Sequence, residues 1–119
     1  MPYLRLLEQL LASVPGSMAA LLLDPNGEVV VESGPGLDRE RHRLIGAYQG
    51  IALDAARKAT ARYDVGPIDC LVYRYATGSV VLRPLHDGYY LVFALSPEAN
   101  LGRGIHFSAV AKVDLDAEL

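Results

Sequence analysis

Met18-Ala19-Ala20-Leu21-Leu22-Leu23-Asp24-Pro25-Asn26-Gly27-Glu28-Val29-Val30-Val31 is the stretch on which the fold turns. Its first six residues form an unbroken apolar run, too short for a helix of its own and lacking the alternation of a strand with one wet face. Asp24-Pro25-Asn26-Gly27 is a strong turn sequence, because proline presets the first turn angle and Asn-Gly tolerates positive φ. Valines resume at once, so the stretch reads as a tight hairpin of two strands, the first covered on both faces.

Working outward, Tyr3, Leu4, Leu7, Leu10, Leu11 and Val14 recur at helical spacing until Pro15-Gly16 stops them. After Gly34-Pro35-Gly36, Asp38 can cap a long helix reaching about Tyr63, ended by Val65-Gly66-Pro67. Three strands follow, Ile68 to Tyr75, Ser79 to Leu85 and Tyr89 to Leu95, with turns at Ala76-Thr77-Gly78 and His86-Asp87-Gly88. Tyr89 to Leu95 is also apolar on both faces. Asn100 can cap a last helix whose Leu101, Ile105, Ala109, Lys112 and Val113 share a side, and whose acidic end at Asp114, Asp116 and Glu118 runs against the helix dipole and is expected to fray. The order is α-β-β-α-β-β-β-α, which predicts an α+β domain spanning residues 1–119: a five-stranded antiparallel sheet with helices on both faces, in profilin-like layering.

The chain has 119 residues, 51% of them hydrophobic, and a formal charge of −3. That balance excludes disorder and offers no electrostatic footprint for nucleic acid. No uncharged stretch reaches the roughly 20 residues needed to span a bilayer, so no membrane insertion is expected. Glu8 and Pro15 argue against a secretory leader, and the lone Cys70 suits a reducing compartment; a cytoplasmic location follows as the expectation.

Motifs for catalysis and cofactors are missing: there is no phosphate loop, dinucleotide fingerprint, nucleophile elbow or zinc-protease helix. No cofactor and no enzyme activity are therefore expected. Gly102-Arg103-Gly104 reads as a helix packing contact before an anion site. His42, His86 and His106 have no metal-ligand spacing, and adjacent His86-Asp87 in a turn are expected to point apart. Cys70 reads as a small core hydrophobe between Ile68 and Val72 on one strand face, with Asp69, Leu71, Tyr73 and Tyr75 on the other.

The long helix carries more apolar surface than one contact needs. Leu44, Tyr48, Ile51, Ala55 and Ala59 form one seam, and Ile45, Ala52, Ala56 and Tyr63 a second beside it; with Ala47 they exceed the stripe of roughly 100° that rests on a single surface. One seam can bury on the sheet while the other meets a partner, unless the first or last helix covers it.

Leu11 to Pro15-Gly16, Leu21-Leu22-Leu23-Asp24-Pro25-Asn26-Gly27, the alanine-rich middle helix, Leu82-Arg83-Pro84-Leu85, Asp87-Gly88-Tyr89-Tyr90-Leu91-Val92 and Asn100-Leu101-Gly102 together resemble the Roadblock/dynein light chain family, its bacterial and archaeal members above all. The resemblance runs from about Leu4 to Leu115. Gly104 departs from it, since a bulkier residue or alanine is usual there, which puts the first turn of the last helix in question. The resemblance implies a homodimer in which middle helices pack antiparallel and third strands pair edge to edge. Its interface would draw on Ile45, Tyr48, Ala52 and Ala56 of the helix and Ile68, Cys70 and Val72 of the strand. It further implies a regulator or platform for a small Ras-like GTPase; Arg39, Arg41, Arg57 and Arg103 are the available cations, and nothing in the sequence selects one of them as catalytic. A structural adaptor without effect on nucleotide turnover is the alternative, and a small-ligand sensory domain a weaker one.

Overall fold

The protein is described from a computed structural model that gives the backbone of residues 2–35 and 39–119, and the side chains of these apart from 39–47. The expected cap at Asp38 lies outside the described residues. Three helices and five strands follow in the expected order: α1 (Pro2–Ser13), β1 (Ser17–Leu23), β2 (Val29–Ser33), α2 (Arg39–Thr60), β3 (Leu71–Tyr75), β4 (Gly78–Pro84), β5 (Tyr90–Leu95) and α3 (Leu101–Glu118). The strands form one sheet in the order β2-β1-β5-β4-β3, with every neighbouring pair antiparallel. This is the α+β arrangement expected from the sequence.

The first hairpin is closed by Asp24 more than by Pro25. Its carboxylate Oδ1 accepts the amides of Asn26 (2.9 Å) and Glu28 (3.0 Å), an Asx turn that leaves Gly27 at φ +82°. The register slips between Leu22 and Leu23, a bulge that lets the five-residue connection close.

Because β1, β5 and β4 occupy the middle of the sheet, both of their faces are buried. Ala20, Leu22, Val81, Leu91, Phe93 and Leu95 pack with Leu7 and Leu10 of α1 and Ala111 and Leu115 of α3. On the other face, Ala19, Leu21, Leu23, Val80, Leu82, Tyr90 and Val92 pack with Leu53 of α2. Two helices thus cover one face and a single helix the other, so neither α1 nor α3 covers the outside of α2.

Several boundaries differ from expectation. α2 ends at Thr60, three residues before Tyr63, where the Thr60 hydroxyl donates to the carbonyls of Ala56 (3.1 Å) and Arg57 (3.3 Å) and Tyr63 N–H bonds the Thr60 carbonyl (3.0 Å). β3 begins at Leu71, not Ile68. The register Leu71↔Leu82 would place Asp69 opposite Pro84, which has no N–H, and the Asp69 carbonyl instead faces the Arg83 guanidinium at 3.5 Å. Without strand pleat, Ile68 packs on the α2 side of the sheet and Cys70 on the α1/α3 side, so the expected common face of Ile68, Cys70 and Val72 does not form.

α3 is turned by about one residue from the expected side. Gly104, Ser108, Ala111 and Leu115 are buried, Leu101 and Ile105 are half-buried, and Val113 is exposed. Small residues define the contact line because they let the helix lie close: a Cβ on Gly104 would come within 2.6 Å of Leu95 Cδ1. Its first turn is regular, with the Asn100 side chain accepting from Arg103 N–H at 2.9 Å. Its end is helical to Glu118, with Leu115 fully buried and Tyr3 Oη donating to the Glu118 carbonyl at 2.8 Å. Among the described residues no helix is long and apolar enough to cross a membrane.

Candidate interaction surface

At about 100° per residue, Gln49, Gly50, Leu53, Ala56 and Thr60 share one side of α2, and it is the side laid on the sheet. Leu53 and Gln49 are buried there, and Gly50 meets the Tyr90 phenol so closely that a Cβ would collide with it. Leu53 belonged to neither expected seam. One leucine among alanines carries little periodic signal, and glycine at a contact gives none.

Tyr48 is 60% and Ile51 66% exposed, and Ala55 and Ala59 are exposed beside them. This seam is the uncovered outer side of α2. Of the second seam, Ala56 is half-buried on the sheet side and Ala52 half-buried at the margin beside it, and the side chain of Ile45 lies outside the described residues. Burying the two-thirds of Ile51 that is exposed against a partner would contribute about 1–2 kcal/mol.

The second element of the surface is β3, which ends the sheet. Leu71, Tyr73 and Tyr75 alternate onto the α2 side, with the Tyr73 and Tyr75 rings 6.5 Å apart, while Val72 is exposed on the opposite side. The outer edge of β3 carries backbone groups with no strand beyond them in the sheet. Of the seven residues expected at an interface, Tyr48 and Val72 are thus exposed, Ala52, Ala56, Ile68 and Cys70 are half-buried, and Ile68 and Cys70 diverge to opposite faces.

Behind β3 stands a residue whose role the sequence concealed. Arg83 is only 3% exposed, and its guanidinium donates to Ser108 Oγ (3.0 Å), the Ile105 carbonyl (2.7 Å) and Asp69 Oδ2 (3.0 Å). It joins β4, α3 and the approach to β3. Cys70 lies beside this clamp. Burial pushes its thiol above the ordinary range, partly offset by the Arg83 cation and reinforced by the Asp69 carboxylate, which makes it a poor nucleophile at neutral pH.

The remaining candidates are occupied with structure. Arg103 donates to the Ser13 carbonyl at 2.6 Å and lies 4.8 Å over the Phe107 ring, so Gly102-Arg103-Gly104 ties α3 to the end of α1. Arg57 is exposed; the side chains of Arg39, Arg41 and His42 lie outside the described residues. His86 and Asp87 point together, contrary to expectation, with Nε2 3.6 Å from Oδ2 and Asp87 at φ +56°. Both are solvent-exposed. A cleft of about 710 Å³ opens at the surface between the end of α2 and the 61–69 segment, lined by Arg57, Tyr63, Asp64, Ile68 and Lys112 among others.

No family model matches the chain, and no curated protein does. Solved structures match it over nearly the whole length. A Roadblock/LC7 domain from Streptomyces avermitilis superposes with a TM-score of 0.79 at 22% identity, covering 92% of each chain. The gliding protein MglB from Thermus thermophilus gives 0.88 at 16% identity, covering 98% of this chain and 87% of its own. MglC from Myxococcus xanthus gives 0.74 at 23% identity, with both chains covered fully. The chain has the Roadblock/LC7 fold.

Proposed function

We propose that this chain, built on the Roadblock/LC7 fold, is a cytoplasmic homodimer that regulates or presents a small Ras-like GTPase and has no catalytic machinery of its own. The observation that carries the reading is the uncovered apolar seam of α2, Tyr48 to Ala59, in a sheet that also ends on an open β3 edge. An antiparallel pair of α2 helices buries that seam, and edge-to-edge β3 strands continue the sheet into the second copy. The likeness of the whole chain to a gliding protein and to MglC fits a regulatory role.

Such a dimer acts on a GTPase by ordering its switch segments or by placing a cation near the transferred phosphoryl group. Arg57, exposed on α2, is free for the second task in a way that Arg103, bound to the Ser13 carbonyl, is not. The sensory reading is the weakest, because both sheet faces are filled with side chains and the 710 Å³ cleft opens at the surface.

The test pairs the purified protein with small Ras-like GTPases and measures GTP hydrolysis and nucleotide exchange. A change of about tenfold or more in either rate is the expected result, well below the roughly 10³–10⁵ that a supplied arginine alone can add to hydrolysis. Ile51→Glu, which puts a charge in the exposed seam without touching the core, is expected to abolish both the α2 contact and the rate effect. Binding without any change in turnover identifies the adaptor alternative. An Ile51→Glu protein that keeps the wild-type mass by light scattering refutes the α2 interface.

A further inference from the structure

The outer side of α3 breaks two rules at once. Its buried residues Gly104, Ser108, Ala111 and Leu115 fall within an arc of about 60° at helical spacing, yet the opposite arc is not polar. It carries His106, Val110, Val113 and Ala117, all exposed, with Val110 45% and Val113 69% accessible. A helix apolar on both sides is one that expects cover on both sides. The neighbouring α1 makes the contrast, for its outer side holds Arg5, Glu8 and Gln9.

The second broken rule is electrostatic. A helix is stabilised by acids in its first turn and bases in its last, and α3 has neither. Its first half carries Arg103 and His106 and no acid, while Asp114, Asp116 and Glu118 gather at the end. Lys112 is already paired internally, to the Pro84 carbonyl at 2.6 Å and to Asp116 at 3.2 Å. Asp116 is likewise satisfied internally, by Lys112 and by the His86 N–H at 2.7 Å. Exposed Asp114 is therefore the acid left near the negative end of the outer side, and His106 the basic residue towards the positive end, on a helix that is regular to Glu118.

One occupant resolves both conflicts. We infer that the outer side of α3 is the docking surface for α3 of a second copy of this chain, packed antiparallel about Val110. That axis buries Val110 and Val113 of both copies. His106 and Asp114 each lie four residues, about 6 Å, from Val110, so His106 of one copy meets Asp114 of the other, and each acidic end lies along the other helix's basic, positive end. A parallel copy would align like with like.

This contact is independent of the α2 dimer, because α2 and α3 lie on opposite faces of the sheet. With both contacts in place, dimers join into larger assemblies. Sedimentation velocity and light scattering across a concentration series test this on the full chain, with circular dichroism as the check of folding. Wild type is expected to exceed a dimer in mass, Val113→Glu to stop at a dimer, and Ile51→Glu to stop at a dimer held by α3. The double variant is expected to be monomeric. Wild type no larger than a dimer, with Val113→Glu of unchanged mass, overturns the α3 contact while leaving the α2 reading intact. A monomeric Val113→Glu protein with unchanged Ile51→Glu does the reverse.

The register has its own test. Asp114→Arg loosens the contact at least tenfold, and adding His106→Glu restores it, since the reciprocal swap rebuilds the pair only in the antiparallel arrangement. Failure of the swap to restore assembly, with both variants folded, overturns the antiparallel arrangement.

Discussion

Arg83 shows how a residue reads one way in the chain and another in the fold. In the chain it is one residue of the stretch Leu82-Arg83-Pro84-Leu85; in the structure every residue of that strand is buried, and the guanidinium is accommodated because Ser108, Ile105 and Asp69 satisfy its donors. Removing it leaves the Ser108 hydroxyl and the Ile105 carbonyl without that donor and opens a void, so Arg83→Ala is expected to cost about 3 kcal/mol in urea unfolding. Asp69→Asn is expected to cost much less, because the Asp69 side chain is 77% exposed and water replaces it readily. Cys70 is the other residue with a measurable signature. A thiol pushed up by burial stays protonated in the folded chain when it would ionise in the unfolded one, so the folded state loses stability as pH rises past the ordinary thiol range. Buried Tyr90, also pushed up by burial and by the nearby Asp24 carboxylate, adds to the same loss at higher pH. Unfolding followed from pH 7 to 10 is expected to show a decline that Cys70→Ala reduces, and alkylation of the folded wild type at pH 7.5 should be slower than that of the unfolded chain.

At the scale of elements, legibility tracked the size of the side chains. The strands β1 and β5 and the helix α1 declared themselves through leucine and valine runs, and their faces are those expected. α2 and α3 were correctly placed, but their contact sides were not, because glycine, serine and alanine mark where a helix lies closest and hydropathy gives them little weight. Gly104 makes this testable. Alanine gains about 1 kcal/mol in helix propensity, while the collision of its Cβ with Leu95 Cδ1 at 2.6 Å calls for repacking that costs about 1–3 kcal/mol. Since the atom met is the end of the buried Leu95 side chain, the two effects come close to cancelling, and Gly104→Ala is expected to lower stability by no more than about 1 kcal/mol in denaturant titration. A stabilised variant would mean that α3 can move away from β5 at no cost.

For the whole molecule, the deciding asymmetry is that two helices cover one sheet face and one covers the other. If β3 edges pair across copies, the β3 amides directed away from β4 are expected to be protected from hydrogen exchange in concentrated protein and to lose that protection on dilution or in Ile51→Glu, while β1 and β5 amides stay protected throughout. Equal exchange at all concentrations would leave the edge open to another kind of partner. By itself the sequence determined the order of elements, the antiparallel sheet and its double cover, because turn chemistry and apolar runs are local or nearly local in the chain. Only the tertiary structure decided which side of α2 is spare, that α1 and α3 do not cover it, that Ile68 and Cys70 part company, and that Arg83 is buried. Each of these depends on which residues meet across the sheet, and such meetings are fixed by register and close approach between segments far apart in the chain.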